Sequence, residues 1–405
     1  PRSSGATQSS EMELSYTKAD EAFREKLRSW LEVEVPRHGP NPSPGHWKEI
    51  REYDTAWQRK LHDAGYAGLG WPKAYGGGEA TLSEQLIYFE EIARAGAPYI
   101  GANFIGMMHG GPTLIAEGSE AQKAYHLPAI LKGERVWCQG FSEPEAGSDL
   151  AALRTTAVRD GDEYVVNGHK IWSTRAHIAD YCELLVRTDP DSRKHAGITW
   201  LILPMDQPGV DVRPIETLEG ESHFCEIYLD DARVPVENRV GEENDVWRVA
   251  NVTLRFERGT SFAPHIIALR DQIKRLVELV RRDGRQWEDV RLRDRVGHLE
   301  ANVEALWRLT QMCVSEAAKT GVPSLVGSAV KLRYSELYQE IGELGMEILG
   351  RDALSLQDLP GRPVREMLHD YLWSIQFTIS GGTSQVQRNI IAERILGLPR
   401  EPKAR

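Results

Sequence analysis

The chain has 405 residues, 41% hydrophobic and 27% charged, which is enough length and apolar content for buried cores and excludes a disordered chain. Its 49 lysines and arginines stand against 60 aspartates and glutamates, a net charge of −11 that argues against non-specific nucleic-acid binding. The longest apolar run, Ile198 to Leu203, is far below the roughly 20 residues that span a bilayer, so no membrane span is expected.

Pro1 to Ser10 is polar and Ser-rich and has no apolar h-region, so neither a signal peptide nor an anchor is read there and a cytoplasmic location is the default expectation. From Tyr16 to about Val136 the texture is helical: Phe23, Leu27, Trp30 and Leu31 recur at three and four, and Leu86, Ile87, Phe89, Glu91, Ile92 and Ala95 continue it. Pro36, Pro40, Pro42 and Pro44 are expected to break the first helix from the next.

From about Trp137 to Gly241 the period becomes two, in short runs at Glu163–Val166, Lys170–Trp172, Tyr181–Val186, Gly197–Leu203 and Phe224–Leu229. Asp160-Gly161 and Asn167-Gly168 read as hairpin turns, and the regular spacing predicts a compact antiparallel barrel or sandwich. Helical texture returns after Glu242, with long stretches at Val246–Arg281, Arg291–Thr320, Ser324–Leu349 and Thr383–Leu396 that predict a four-helix bundle. Ser384 followed by Gln387 reads as a capping box, and Gly397 then Pro399 as a stop. The expected class is α+β, divided as an all-helical domain over 11–136, a middle β-barrel domain over 137–241 and a four-helix bundle over 242–405.

Cys138, Cys182, Cys225 and Cys313 are scattered without a C-x-x-C pair, so neither a metal site nor a redox dithiol is expected and a reducing compartment fits. The fingerprints of nicotinamide, P-loop, zinc-protease and hydrolase sites are also lacking.

Four places can carry chemistry. The loop Phe141 to Asp149 is rich in small and hydrogen-bonding residues that allow close backbone approach to a flat ring or a phosphate, although taken alone it reads first as a plain connecting turn. In Lys170-Ile171-Trp172-Ser173-Thr174 an indole and two hydroxyls can wall a planar cofactor, or the tryptophan can be plain core. Glu257 shares a helical stripe with Val246, Val249, Ala250, Thr253 and Ser261, where burial raises a carboxyl toward general-base use unless Arg255 or Arg258 pairs with it. Ser380-Gly381-Gly382-Thr383-Ser384 leads into the last helix, as a carbonyl or phosphate seat or as a capped linker.

Read together, GFSEPEAGSDLAALRTTAVRDGDEYVVNGHKIWST and ISGGTSQVQRNIIAERILGLPR resemble the acyl-CoA dehydrogenase family, and the order of textures extends the resemblance over nearly the whole chain. The resemblance implies FAD as cofactor, acyl-CoA as substrate and 2-enoyl-CoA as product, with electron-transfer flavoprotein as the acceptor. It implies flavin contacts at Gln139, Phe141, Ser142, Gly147, Ser148, Trp172, Ser173 and Thr174, and at Thr383, Ser384 and Gln385 beside the acyl site. Ser148, Arg255, Arg258 and Gly382 fall on the substrate side.

The family commonly carries its catalytic glutamate where Gly381 stands here. A minority, including isovaleryl- and long-chain-type members, carries it on the first bundle helix just before an arginine, where Phe256-Glu257-Arg258 stands. The resemblance therefore implies Glu257 as the base and Gly381 N–H as a donor to the thioester carbonyl. Two departures fall on contacts that the family makes across subunits, at Asp283-Gly284-Arg285-Gln286-Trp287 and near Glu347-Ile348-Leu349-Gly350. A homotetramer and an α2β2 assembly with a related chain are both open. Ser380 in place of a tyrosine, with Gly96, Ala97, Gly101, Ala102 and Gly106 on a pocket helix, suggests room for a branched or steroid side-chain acyl group. The alternatives are an oxidase or monooxygenase of the same fold, and a non-catalytic subunit of a heteromeric dehydrogenase.

Overall fold

The computed structural model describes residues 16–192, 196–246, 249, 263–282, 284–320 and 324–400. The first part is helical as its spacing predicts: α1 (Lys18–His38), α2 (Trp47–Asp63), α3 (Leu82–Arg94), α4 (Gly111–Glu117) and α5 (Glu120–Leu131). Three of these start on reciprocal capping boxes, Thr17 with Asp20, Thr81 with Glu84 and Ser119 with Gln122, which satisfy N–H groups that a first turn leaves unbonded. Pro36 does not end α1, contrary to expectation. The helix runs on to His38 and stops at Gly39, because a proline so near the C-terminal end removes little of the ladder.

The middle part is an eight-stranded sheet: β1 (Trp137–Gly140), β2 (Thr156–Asp160), β3 (Glu163–Thr174), β4 (Tyr181–Arg187), β5 (Ile198–Pro204), β6 (Val210–Ile215), β7 (Phe224–Pro235) and β8 (Arg239–Val240). The order is β6-β7-β3-β2-β4-β5-β8, with β1 on β4. This corrects the expected barrel, since the ladder ends at β6 and β8 instead of closing, and β1 runs parallel to β4. β8 is only two residues long and pairs with β5, too short to carry a closing ladder.

Asp160-Gly161 turns between β2 and β3 as predicted, with Gly161 at φ 63°. Asn167-Gly168 does not turn. It lies inside β3 at a register shift, and the Asn167 amide is engaged with Asp231 across the sheet. β5 is buried from Ile198 to Leu203 because its alternate side chains enter different cores: Trp200 and Ile202 join the helical domain's core, Leu201 and Leu203 the sheet's.

The last part holds α6 (Ala263–Arg282), α7 (Val290–Thr320), α8 (Gly327–Leu349), α9 (Val364–Phe377) and the short α10 (Ser384–Ile390), which continues as a π turn over Ile391–Ile395. The fourth long helix is α9, not the predicted Thr383–Leu396 stretch. Leu276, Leu306, Leu337 and Leu344 form the bundle core, and Leu86 and Phe89 of α3 enter it, which seats the helical domain on the bundle. None of the described helices is long and apolar enough to cross a membrane.

Candidate active site

The loop after β1 is built on a buried ion pair. Lys170 Nζ of β3, fully buried, lies 2.7 Å from Glu143 Oε1 and donates to Phe141 O at 3.2 Å. The same carboxylate accepts from the backbone N–H groups of Arg154 (2.6 Å) and Thr155 (2.8 Å) and from the Thr155 hydroxyl (2.6 Å). Burial opposes ionisation of Glu143, but Lys170, Thr155 and the Arg154 N–H outweigh it and hold the carboxyl below its ordinary range. Burial pulls the Lys170 ammonium downward as well. The ion pair is the state favoured by so many donors on one carboxylate.

Around this anchor Phe141 is buried, Ser142 O accepts from Ile171 N–H at 3.0 Å, and Glu143 and Ala146 close a small bridge that leaves Gly147 and Ser148 exposed. A Cβ on Gly147 would meet nothing within 4 Å. Gln139 points its amide elsewhere, to Glu183 Oε1 at 2.7 Å and His109 Nδ1 at 3.1 Å, a polar group beneath the loop that no sequence motif marks.

β3 ends in a second irregularity, a register shift between Lys170 and Ser173. Within it Trp172 has φ 63° and is 57% exposed. A bulky residue in the left-handed region stores strain, and strained positions concentrate at ligand sites. The Ser173 hydroxyl is buried and, among the described residues, has no hydrogen-bond partner, while Thr174 is half-buried. Arg175 follows at φ 53° and ties this end of the strand to the helical domain through Asp54, at 3.0 Å.

The third element is the turn before α10. Gly381 and Gly382 have φ 62° and 86°, conformations that glycine adopts without strain. The cap is Thr383, whose hydroxyl accepts from Val386 N–H at 3.2 Å, and not Ser384 as expected. Ser384 is buried with its hydroxyl unpartnered among the described residues, and Gln385 is exposed. Gln387, instead of closing a capping box, donates to Gly381 O at 2.9 Å, and Lys331 of α8 donates to Phe377 O and Gly382 O at 2.8 and 2.6 Å. Sequence reasoning passed over Lys331, although it is a charge on an apolar helix face.

An aromatic run brings the second and third elements together. Trp172 meets Phe224 edge-on at 6.0 Å, Phe224 stacks on Trp373 at 6.0 Å, and Trp373 meets Phe377, whose carbonyl Lys331 holds, at 6.3 Å. Beside Trp373, His369 Nδ1 lies 2.8 Å from Glu219 Oε2, which raises the imidazole above its ordinary range against the effect of burial, with Asp370 and Glu221 adding to the rise. A raised histidine stabilises the fold fully below its unfolded value of about 6.5, and that contribution is lost as pH rises through the folded value. The melting-temperature difference between wild type and His369→Asn is therefore expected to be largest near about pH 6 and to shrink toward about pH 9. A pH-independent difference refutes this coupling.

The two departures expected at subunit contacts also meet, since Gln286 Nε2 donates to Ile348 O at 2.8 Å. Trp287 lies there between Arg281 and Arg293, with the guanidinium carbons 4.9 and 5.9 Å from its ring. Glu257, Arg255 and Arg258 lie outside the described residues. Of the small residues read as a roomy pocket, Gly101 packs against Asp54, with 2.3 Å from a Cβ to its carboxylate, and Gly106 against Ile130 at 3.1 Å. Gly96, at φ 61°, follows the end of α3 as a helix-terminating glycine. Close packing and a helix end account for these glycines, not a widened cavity.

Residues 17–134, 138–232 and 244–396 match in turn the acyl-CoA dehydrogenase N-terminal, middle and C-terminal domains. The chain belongs to the acyl-CoA dehydrogenase family. This acyl-CoA dehydrogenase is 39% identical, over 95% of its length and 99% of the relative's, to acyl-CoA dehydrogenase IpdE1 of Mycobacterium tuberculosis. It is 38% identical to acyl-CoA dehydrogenase FadE26 of the same organism, over 96% of this chain and 99% of that one. Among solved structures, the Tcur3481-Tcur3483 steroid acyl-CoA dehydrogenase matches with TM-score 0.82 and 33% identity, over 96% of this chain and all of that one. The ChsE4-ChsE5 complex of Mycobacterium tuberculosis matches at TM-score 0.79 and 35% identity, with the same coverage. The family places the chain among oxidoreductases that act on acyl-CoA.

Proposed function

We propose that this chain, with FAD bound, converts a bulky acyl-CoA of the steroid side-chain type to its 2-enoyl-CoA, within an assembly that includes a related second chain. The observation that carries the reading is the aromatic run from the strained, exposed Trp172 to Phe377, whose carbonyl shares Lys331 Nζ with Gly382 O of the turn. The residues fit the cofactor: an exposed indole, the buried unpartnered hydroxyls of Ser173 and Ser384, and the open position at Gly147 offer a ring wall, donors and room. Phe141, Ser142, Ser148, Thr174, Thr383 and Gln385 complete that set, with Gln139 contributing main chain since its side chain is committed to Glu183.

FAD, when bound, supplies the acceptor for the hydride equivalent that leaves the substrate's β-carbon. Glu257 takes the α-proton as general base, flanked in sequence by the substrate-side residues Arg255 and Arg258. The N–H groups of the Gly381–Gly382 turn polarise the thioester carbonyl and so stabilise the enolate that develops as the proton leaves. Electron-transfer flavoprotein is the proposed acceptor for the reduced enzyme.

The paired chain names of the two matched structures support a heteromeric assembly, with α2β2 as the proposed form, over a homotetramer. The steroid-type substrate rests on the likeness to the steroid acyl-CoA dehydrogenase and on Ser380, which is small and exposed. The test is anaerobic titration of the purified protein with straight-chain, branched and steroid side-chain acyl-CoAs, followed by flavin absorbance. Bleaching by the steroid thioesters at the highest kcat/KM supports the reading. Preference for short straight chains refutes the substrate class, and failure to retain FAD even with its partner favours the non-catalytic subunit.

A further inference from the structure

We infer that Asp54 and Arg175 are positioning residues for the flavin wall: a buried carboxylate of α2 grips the guanidinium of the residue after Thr174 and so fixes the strained end of β3 on which Trp172, Ser173 and Thr174 stand. The inference rests on the proposed reading of that strand end as a wall of the flavin site.

Two non-glycine residues in the left-handed region bracket the wall, Trp172 at φ 63° and Arg175 at φ 53°. Backbone of this kind persists only where its surroundings over-determine it. The sheet supplies one side: Ser173 and Thr174 are in register with Cys225 and Phe224 of β7, and Arg175 N–H donates to His223 O at 2.9 Å. The helical domain supplies the other. Arg175 Nη1 lies 3.0 Å from Asp54 Oδ2, and the guanidinium carbon lies 5.8 Å from the centre of the Trp47 ring. Trp47, Arg51 and Asp54 recur at four and three along α2 and share one face of it. Arg51 pairs with Asp180 at 2.8 Å and donates to Ile178 O, so this face of α2 holds the segment that follows the wall at both of its ends.

Asp54 is itself held in place. Ala102 N–H donates to the same Oδ2 at 2.7 Å, and the turn passes so close that a Cβ on Gly101 would stand 2.3 Å from that oxygen. The carboxylate is thus fixed by the turn on one side and presents a set position to Arg175 on the other. Burial raises the Asp54 carboxyl, with Arg175 and the Ala102 N–H pulling the other way, so its charge is costly where it stands. A neutral side chain packs there at less cost. The charge does what a neutral group cannot, since a charge-assisted bond of fixed geometry restrains an arginine in a backbone conformation that it adopts only under constraint. Held in this way, Arg175 transmits the position of α2 to the two hydroxyls and the indole that precede it.

The test uses the protein with any partner chain, stripped of flavin and titrated with FAD, and compares Asp54→Asn, Arg175→Gly and Trp172→Ala with wild type. Both pair variants are expected to raise the FAD Kd by about tenfold, and the double variant by no more than about twofold beyond either, as two parts of one latch do. Deuterium uptake by the amides of residues 171–180 in flavin-free protein is expected to rise about tenfold. The gain in melting temperature at a fixed FAD concentration narrows in both variants, whereas a merely structural loss lowers the flavin-free and loaded melting temperatures alike. Glycine adopts φ 53° without strain, so Arg175→Gly carries every readout if Asp54→Asn does not fold. An FAD Kd within about twofold of wild type in Arg175→Gly, or unchanged uptake over residues 171–180, overturns the inference. An unchanged FAD Kd in Trp172→Ala refutes instead the reading of the strand end as a flavin wall, whereas weakened binding there beside unchanged pair variants sinks only the latch.

Discussion

Glu257→Gln is expected to slow acyl-CoA-dependent flavin bleaching by about 10²–10⁴-fold while leaving flavin content and thermal stability close to wild type. An amide of nearly the same shape keeps the packing of a carboxyl but cannot accept the α-proton. A weakly acidic α-proton has no other route of comparable ease in a site shielded from water. Anaerobic stopped-flow absorbance measures the effect directly. A rate within about threefold of wild type means that another residue is the base, and with Gly381 standing where the family commonly has its glutamate, no carboxyl is at hand on that turn.

Lys170→Met is expected to destabilise the protein by about 3–5 kcal/mol, because it leaves the buried Glu143 carboxylate of the loop after β1 without its cation. Glu143→Gln falls in the same range, since it leaves a fully buried ammonium without its counter-charge, facing only neutral acceptors such as Phe141 O. The double variant is expected to lose less than the sum of the two, which is the mark of a coupled pair. Urea unfolding with a common slope measures all three, and a loss below about 1 kcal/mol in both single variants excludes the pair as the anchor of the loop. The pair also makes stability acid-sensitive. A depressed Glu143 contributes fully above its unfolded value of about 4.3, and that contribution is lost as pH falls through the folded value.

Several elements are legible in the sequence alone. The change of period from three-and-four to two near Trp137 places the sheet, and Asp160-Gly161 turns as its dipeptide predicts. Asn167-Gly168 carries the same local signal and lies in a strand, because the asparagine amide found a cross-strand partner in Asp231. Lys331 is visible as a charge on an apolar face by the same reasoning that singles out Glu257, but only the structure shows it donating to Phe377 O and Gly382 O. Glu143 and Lys170 stand in the family motifs without a function of their own, since 27 positions separate them and no local rule pairs residues so far apart.

By itself the sequence determined the class of fold, the order of its helical and strand regions and the acyl-CoA dehydrogenase motifs, while the roles of Glu257 and Gly381 are what the resemblance to that family implies. The fold class and the order of regions are local patterns, and local patterns follow from periodicity and residue type. Only the tertiary structure decided that the sheet stays open, that the small residues Gly101 and Gly106 serve packing, that Gln286 meets Ile348 and that Lys331 and Gln387 donate to the carbonyls of the glycine turn. Each of these depends on contacts between residues distant in the chain, where burial and hydrogen-bond satisfaction select one arrangement from many that local propensity allows.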